Sequence, residues 1–404
     1  MNNIVIIGAG QAAAWAAHTL RQQGFTGRLS IVSNEERVFY ERPPLSKQVL
    51  AGDMAAAALQ IFNDEAIAAM NIDWHKPVSA ERIDRNHHLV ILDDGTTLPY
   101  DKLLIATGSR ARLPHPHWGE INGVYTMRNV DDCHQLRDQL EHIEELVLIG
   151  GGWIGLEIAA TARKSGVKVT VLELGSRLCA RSVSAEVSEL IFRHHQNAGV
   201  DVVVACGQVE LLQAANGQVL IQRDGQDWKT VDAVVVGAGA HICKELAVDA
   251  GLDTQDGIVV DAFGQSSDPD IYAAGDVAIH PELGFCIQSW ANAQNQAIVA
   301  AKAMLGETEP YADIPWLWSD QYDLNIQILG TPIGHEKCAL VERQTGDKQH
   351  SFLYLNEQNQ LHYLVAVNDA KLVKMAKRWM KAGTSLQASD LANPDFNVLS
   401  IKAN

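Results

Sequence analysis

Two glycine-rich turns carry the chemistry most readable in this chain. The first runs Ile4-Val5-Ile6-Ile7-Gly8-Ala9-Gly10-Gln11-Ala12-Ala13, and the second Leu146-Val147-Leu148-Ile149-Gly150-Gly151-Gly152-Trp153-Ile154-Gly155. Each is a short apolar run, then G-x-G-x-x-G/A, then a helical stretch rich in small residues. Gly8, Gly10 and Ala13 form one set, and Gly150, Gly152 and Gly155 the other. Such glycines permit a tight turn and close backbone approach, so that a pyrophosphate can rest on amides at a helix start. Glu35 and Glu173 follow at about the 20-residue spacing where a ribose hydroxyl needs an acceptor. One such pattern is a weak signal. Two in one chain point to two dinucleotides, and the natural pair is a flavin and a nicotinamide.

The elements that must position these residues can be traced along the chain. Residues from about Gln11 to Gln23 read as a helix ended by Gly24, and Leu29-Ser30-Ile31-Val32 as the next strand. Glu41-Arg42-Pro43-Pro44-Leu45-Ser46-Lys47 cannot open as helix, because a residue before proline is pushed out of the α region. A helix starting near Pro44 would carry Lys47 on its first turn. Residues 78–105 alternate like antiparallel strands, with a turn at Asp93-Asp94-Gly95, and end in Lys102-Leu103-Leu104-Ile105 before Ala106-Thr107-Gly108. A linker at Leu113–His117 leads to a second α/β unit that closes with Val234-Val235-Val236-Gly237-Ala238-Gly239. Asp268–Val277 reads as a turn, a short strand and a Gly275-Asp276 end. Beyond the proline-flanked break from Pro310 to Pro315, composition turns aromatic and mixed polar, which suggests a smaller α+β domain.

Bulk properties exclude several classes. A chain of 404 residues has room for two or three domains, and 47% hydrophobic with 20% charged residues describes a globular protein. No apolar run approaches the roughly 20 residues a bilayer span requires. Met1-Asn2-Asn3 passes into a strand without a basic leader, so a cytoplasmic location is expected. A formal net charge of −17 argues against non-specific nucleic-acid binding. The six cysteines are scattered, without the close spacing that zinc, iron–sulfur or a redox disulfide needs, so no metal site is expected.

The chain resembles the two-dinucleotide, glutathione-reductase-like flavoproteins, and within them the ferredoxin reductase subunits of bacterial Rieske-type aromatic-ring dioxygenase systems. The likeness rests on the Gly8–Ala13 turn, Arg42-Pro43-Pro44-Leu45-Ser46-Lys47, Ala106-Thr107-Gly108 and Gly150–Glu157. It rests also on Ala274-Gly275-Asp276-Val277, Ser289-Trp290-Ala291-Asn292-Ala293-Gln294 and Trp316-Leu317-Trp318-Ser319-Asp320-Gln321. It covers the whole chain. It implies an α/β fold of two Rossmann-like domains plus a C-terminal α+β domain. FAD would lie on residues 1–110 and 241–315, NADH on 111–240, and the C-terminal domain would span 316–404. The chemistry implied is hydride transfer from NADH to FAD, then single electrons to a [2Fe–2S] ferredoxin, of Rieske type, that feeds a dioxygenase.

The same resemblance assigns site residues. Lys47 and Glu157 would face each other beside flavin N5, Lys47 offering positive charge where the reduced flavin gathers negative charge. Glu35 would hold the adenosine ribose, although Asn34 stands where relatives often have Asp. Arg42, Val78 (through its backbone, to adenine), Arg128, Asp276 (to the ribityl chain) and Trp290 complete the flavin set. Glu173 would favour NADH over NADPH by accepting from its 2′-hydroxyl and repelling a 2′-phosphate, with Arg177 and Arg181 nearby to weaken that discrimination. Ala240-His241-Ile242-Cys243 replaces the Pro-Asn pair common in relatives. The Trp316/Trp318 pair is a candidate electron exit. Lys371, Lys374, Arg378 and Lys381 recur at helical spacing and would form a basic face for an acidic ferredoxin. Two alternatives share most motifs: a reductase of a rubredoxin or P450-linked ferredoxin, and a non-catalytic NADH-sensing flavoprotein. A disulfide reductase needs a cysteine in the Tyr40–Leu50 segment, which has none.

Overall fold

A computed structural model describes residues 1–402 and divides them into two compact units. The first comprises Met1–Arg42, Ala57–Arg110 and Ala240–Asp313; the second comprises Pro43–Ala56, Ala111–Gly239 and the chain from Ile314 onward.

The first unit is built on a five-stranded parallel sheet. Its spatial order is Ile271–Ala273, Lys102–Ile105, Asn3–Ile7, Arg28–Val32 and Ile72–His75. Strands of this kind are covered on both faces, which is why they read as near-continuous apolar runs. Ile4 and Ile6 are buried in one core; Val5 and Ile7 are buried in the other. On the first side lies helix Gln11–Gln22, whose Ala13, Ala14, Ala16 and Ala17 are buried. It packs against helix Trp290–Met304 through the latter's Ala293, Ala297, Ala300 and Ala301. Methyl-sized side chains on both surfaces let the two helices approach closely, which fixes the start of the first helix at the carboxyl end of the central strand.

Here the structure corrects the reading of residues 78–105. Ala80–Asp84, Leu89–Leu92 and Thr97–Pro99 do form an antiparallel meander, with its second turn at Asp93–Gly95. Lys102–Ile105 does not join it. That strand pairs in parallel with Asn3–Ile7, because its buried Leu103, Leu104 and Ile105 need cover on both faces.

The second unit repeats the motif. Its parallel sheet runs Asp201–Val203, Lys168–Leu172, Glu145–Ile149, Ala233–Val236 and Val124–Tyr125. An antiparallel three-stranded sheet, Val209–Gln213, Val219–Arg223 and Gln226–Val231, lies in the chain between. The C-terminal portion is a five-stranded antiparallel sheet in the order 316–321, 324–330, 361–367, 349–355, 339–346. Helix Ala370–Ala382 covers it with Leu372, Val373, Ala376 and a fully buried Trp379. Pro43–Ser46 forms one turn of 3₁₀ helix rather than the start of a longer helix, and Lys47 follows it directly. Among the described residues no helix is long and apolar enough to cross a membrane.

Candidate active site

Each unit holds one glycine turn, and in each the first two glycines have separate physical reasons. Gly8 adopts φ +114°, and a Cβ there would stand 2.2 Å from the Ala106 carbonyl oxygen. Gly150 adopts φ +108°, with the Gly237 carbonyl oxygen 2.4 Å from the same imagined atom. Both are forced by the neighbouring strand of their own sheet. At Gly10 and Gly152, by contrast, an added Cβ would meet nothing within 4 Å. The second glycine is therefore not a requirement of internal packing; it keeps a space clear at the N-terminus of a helix, where backbone amides and the helix dipole favour an anion. In the first unit the buried Gln11 Oε1 also has no hydrogen-bond partner in that region. The open backbone at Gly10 fits the pyrophosphate of a dinucleotide, and the unsatisfied Gln11 oxygen, which can only accept, fits one of its hydroxyl or amino donors.

Around the first turn, Glu35 is held by side chains. Its carboxylate accepts from Tyr40 Oη at 2.5 Å and from Arg42 Nη2 at 2.7 Å. Burial pulls the Arg42 guanidinium down, but the negative fields of Tyr40, Glu35 and Asp276 outweigh it and the net shift is upward. Asp276 follows Gly275 just beyond the Ile271–Ala273 strand, at the carboxyl edge of the sheet where ligands of such folds gather. Its carboxylate accepts from Ser109 Oγ at 2.7 Å, while the Gly275 N–H is anchored on Gln296 Oε1 at 3.0 Å. Val78 donates its N–H to the Ser33 carbonyl at 2.9 Å. Trp290 opens helix Trp290–Met304, capped by Ser289.

Around the second turn, Glu173 is held by backbone. Its carboxylate accepts from Gly151 N and from Gly175 N, both at 2.6 Å. That lock explains a glycine the fingerprint does not demand. A Cβ at Gly151 would stand 2.4 Å from Leu178 Cδ2 and 3.1 Å from Glu173 Oε2. Arg177 is committed elsewhere, donating to the carbonyls of Val183 at 2.6 Å, Ala180 at 3.0 Å and Ser184 at 3.3 Å. Arg181 is exposed beside Gly239.

The second unit also brings Lys47 and Glu157 together. Lys47 Nζ lies 3.1 Å from Glu157 Oε1, with side chains only 11% and 6% exposed. Glu157 sits early in helix Trp153–Lys164, which packs on the Pro43–Ser46 turn. Two serines complete the carboxylate's partners: Ser46 Oγ donates to Oε2 at 2.5 Å, and Ser319 Oγ donates to Oε1 at 2.6 Å. Thr161 Oγ1 donates to the Ser46 carbonyl at 2.9 Å and fixes the turn from the next helical layer. A buried charge of this kind survives only when paired and hydrogen-bonded, and removing one partner costs about 3–5 kcal/mol. Arg128 stands half-buried just before helix Val130–Leu140, whose Cys133 Sγ reaches the Leu45 carbonyl at 3.1 Å.

Ser46 and Ser319 lie inside the Pro-Leu-Ser-Lys and Trp-Ser-Asp-Gln motifs, yet sequence reasoning gave neither a role. Spacing says nothing about which carboxylate a hydroxyl will meet across more than a hundred residues. Trp316 and Trp318 are stacked on one face of their strand, ring centroids 5.1 Å apart at 21°. Lys371, Lys374, Arg378 and Lys381 are all exposed on helix Ala370–Ala382, opposite its buried face.

Comparison with known proteins supplies the context. Residues 2–297 match the model of the pyridine nucleotide-disulphide oxidoreductase family, and residues 316–401 match a reductase C-terminal domain. The ferredoxin–NAD(+) reductase component of the p-cumate 2,3-dioxygenase system of Pseudomonas putida is 35% identical, over 98% of this chain and 97% of that one. The corresponding component of the anthranilate 1,2-dioxygenase system of Burkholderia cepacia is 37% identical, over 96% and 97%. Among solved structures, the ferredoxin reductase for the CYP199A2 system of Rhodopseudomonas palustris superposes with a TM-score of 0.90 at 32% identity, covering 98% of each chain. The reductase of a covalent putidaredoxin reductase–putidaredoxin complex gives 0.90 at 33%, over 97% of this chain and 96% of that one.

Proposed function

The chain belongs to the pyridine nucleotide-disulphide oxidoreductase family, and on that footing we propose that it is an NADH:ferredoxin oxidoreductase of an aromatic-ring dioxygenase system. The observation that carries this reading is the buried Lys47–Glu157 pair in a chain with two glycine turns and no cysteine between Tyr40 and Leu50. A flavoprotein of this build without a thiol pair must take electrons as hydride and pass them on by another route. The two relatives named as ferredoxin–NAD(+) reductase components support a ferredoxin as acceptor, which we take to be a [2Fe–2S] ferredoxin of Rieske type. A P450-linked ferredoxin is the second reading, favoured by the likeness to the reductase of the CYP199A2 system.

FAD, when bound, accepts a hydride from NADH and releases its two electrons one at a time. The residues of this chain do the rest. Gly8, Gly10 and Ala13 would hold the FAD pyrophosphate, Glu35 with Arg42 the adenosine end, Val78 the adenine and Asp276 the ribityl chain, with Arg128 and Trp290 the remaining flavin residues. Gly150, Gly152 and Gly155 hold the NADH pyrophosphate, and Glu173 accepts from its ribose. Lys47 keeps a positive charge where negative charge develops, and Glu157 holds Lys47 and orients the nicotinamide amide. Neither side chain abstracts a proton, since hydride transfer requires none.

In domain terms, residues 1–110 and 241–315 would take FAD, 111–240 would take NADH, and 316–404 would form the C-terminal domain. The stacked Trp316/Trp318 pair is the exit, and Lys371, Lys374, Arg378 and Lys381 dock the acidic ferredoxin in the cytoplasm. Lys47→Ala should slow flavin reduction by NADH in stopped flow at least 100-fold while changing FAD retention less than threefold. Unchanged reduction would take the pair out of the mechanism.

A further inference from the structure

Behind Glu157 runs a buried line of hydrogen bonds that the proposed hydride chemistry does not by itself require. Ser319 Oγ reaches Glu157 Oε1 at 2.6 Å; Gln321 Nε2 reaches Ser319 Oγ at 3.0 Å; His195 Nε2 lies 2.8 Å from Gln321 Oε1. Ser319, Gln321 and His195 are 0–1% exposed. Ser319 and Gln321 alternate on one face of strand Trp316–Gln321, and His195 comes from helix Ala185–Asn197.

The direction of every bond follows from its end point. A carboxylate oxygen paired with Lys47 only accepts, so the single Ser319 proton is committed to Glu157. Ser319 must then accept from the Gln321 amide nitrogen. The Gln321 oxygen is left to accept from His195, which fixes the imidazole with its proton on Nε2. Its other nitrogen, Nδ1, is buried with no hydrogen-bond partner. Burial lowers the His195 pKa to about 4, so the ring stays neutral and this order of donors persists above that pH.

Such an arm has a definite mechanical effect. Lys47 and Ser319 converge on the same oxygen, Oε1, while Ser46 holds Oε2. Without Ser319 the carboxylate keeps two tethers of different kinds and can swing about its Cγ–Cδ bond toward Ser46. With Ser319 its plane is fixed, and Ser319 is in turn held by a neutral amide and imidazole that cannot rotate away without stranding buried polar atoms.

We propose that Ser319, backed by Gln321 and His195, is a positioning residue that sets the orientation of the Glu157 carboxylate and so the placement of the Lys47 ammonium during hydride transfer. This rests on the reading that the Lys47–Glu157 pair borders the reacting atoms. A one-ångström misplacement of such a group costs up to about 100-fold in rate even when binding is intact.

The test uses holoprotein with Ser319→Ala, Gln321→Leu and Glu157→Gln. Two quantities are read: the limiting rate and apparent Kd of flavin reduction by NADH in stopped flow, and the rate at which Lys47 is acetylated by a trace reagent, followed by mass spectrometry. Ser319→Ala should lower the limiting rate about tenfold, leave the Kd within twofold, and change Lys47 acetylation at least threefold. Gln321→Leu, one link further back, should give the same pattern at two- to fivefold in rate; it carries the test should Ser319→Ala fail to fold. A parent-like limiting rate and parent-like Lys47 reactivity in the folded variants would overturn the proposal. Glu157→Gln separates the two claims. If it slows reduction while the arm variants do not, only the positioning role fails. If it too leaves reduction unchanged, the functional reading of the pair fails first.

Discussion

The two glycine turns are near copies in sequence, yet each holds its acid in a different way. At the first, Glu35 is tied to side chains, Tyr40 and Arg42, and the residue between the glycines is Ala9. At the second, Glu173 is tied to the backbone of the turn itself, and the corresponding residue is Gly151, where a Cβ would press on Leu178 Cδ2 and on Glu173. A side-chain lock is adjustable, because Glu35, Tyr40 and Arg42 all turn on rotatable side-chain bonds. A backbone lock is rigid and presets the acid before any ligand arrives. On the proposed assignment of FAD to the first turn and NADH to the second, the difference suits a resident cofactor at one and a diffusible one at the other.

The comparison can be broken at several points, and the largest effects belong to the first glycines. Gly8→Ala should give protein without flavin colour, because the new Cβ meets the Ala106 carbonyl at 2.2 Å in a left-handed backbone. Gly150→Ala should stay yellow and be bleached by dithionite, with reduction by NADH slowed more than 100-fold. Equal loss of flavin in both variants, read by absorbance, would contradict the division of labour. Next comes the middle position: Gly151→Ala should weaken NADH binding at least tenfold by dislodging Glu173, whereas Ala9→Gly should change FAD affinity less than twofold. Comparable losses at both would mean that the two locks are equivalent.

Glu173→Ala should lower the ratio of kcat/KM for NADH over NADPH about tenfold, since it removes both an acceptor and a repulsive charge. Arg177 is too well occupied by three carbonyls to bring a larger reversal.

The second unit should also show an acid-labile step of its own. The folded pKa of His195 is lowered to about 4 from an ordinary 6.5, so its neutral form stabilises the fold above pH 6.5. That contribution is lost as pH falls from 6.5 toward 4, on the order of 3 kcal/mol in all. The neighbours that bear on this titration are His194, whose charge lowers it further, and the Gln321 bond, which raises it; the Tyr322 ring packs edge-on at 5.2 Å. His195→Gln should flatten thermal stability between pH 6.5 and 4.5, and an unchanged slope would remove His195 as its source. The smallest effect is expected on the solvent face: replacing Lys371 and Lys374 by Gln should raise KM for ferredoxin three- to tenfold at low salt, and hardly at all near 0.5 M.

Much of this was readable in advance, for identifiable reasons. The α/β fold with two Rossmann-like halves followed from glycine spacing and apolar runs, because a tight turn against a parallel sheet tolerates few alternatives. The exposed basic stripe on helix Ala370–Ala382 followed from its 3.6-residue period. Lys102–Ile105 was misassigned because a four-residue apolar strand has the same local signal in an antiparallel meander as in a parallel sheet; only burial on both faces decides. The helix near Pro44 shrank to a single turn before Lys47. The Ser319–Gln321–His195 arm was invisible, since a strand and a helix far apart in the chain meet there and no spacing rule links them.

The central claim is that electrons enter as hydride from NADH and leave singly to a ferredoxin. An anaerobic titration of the FAD-loaded protein tests it most directly. One equivalent of NADH should bleach the flavin absorbance, and two equivalents of oxidised [2Fe–2S] ferredoxin should then restore it within the dead time of a hand-mixed experiment. A flavin that NADH leaves yellow, or one that stays bleached until oxygen is admitted, would contradict the account.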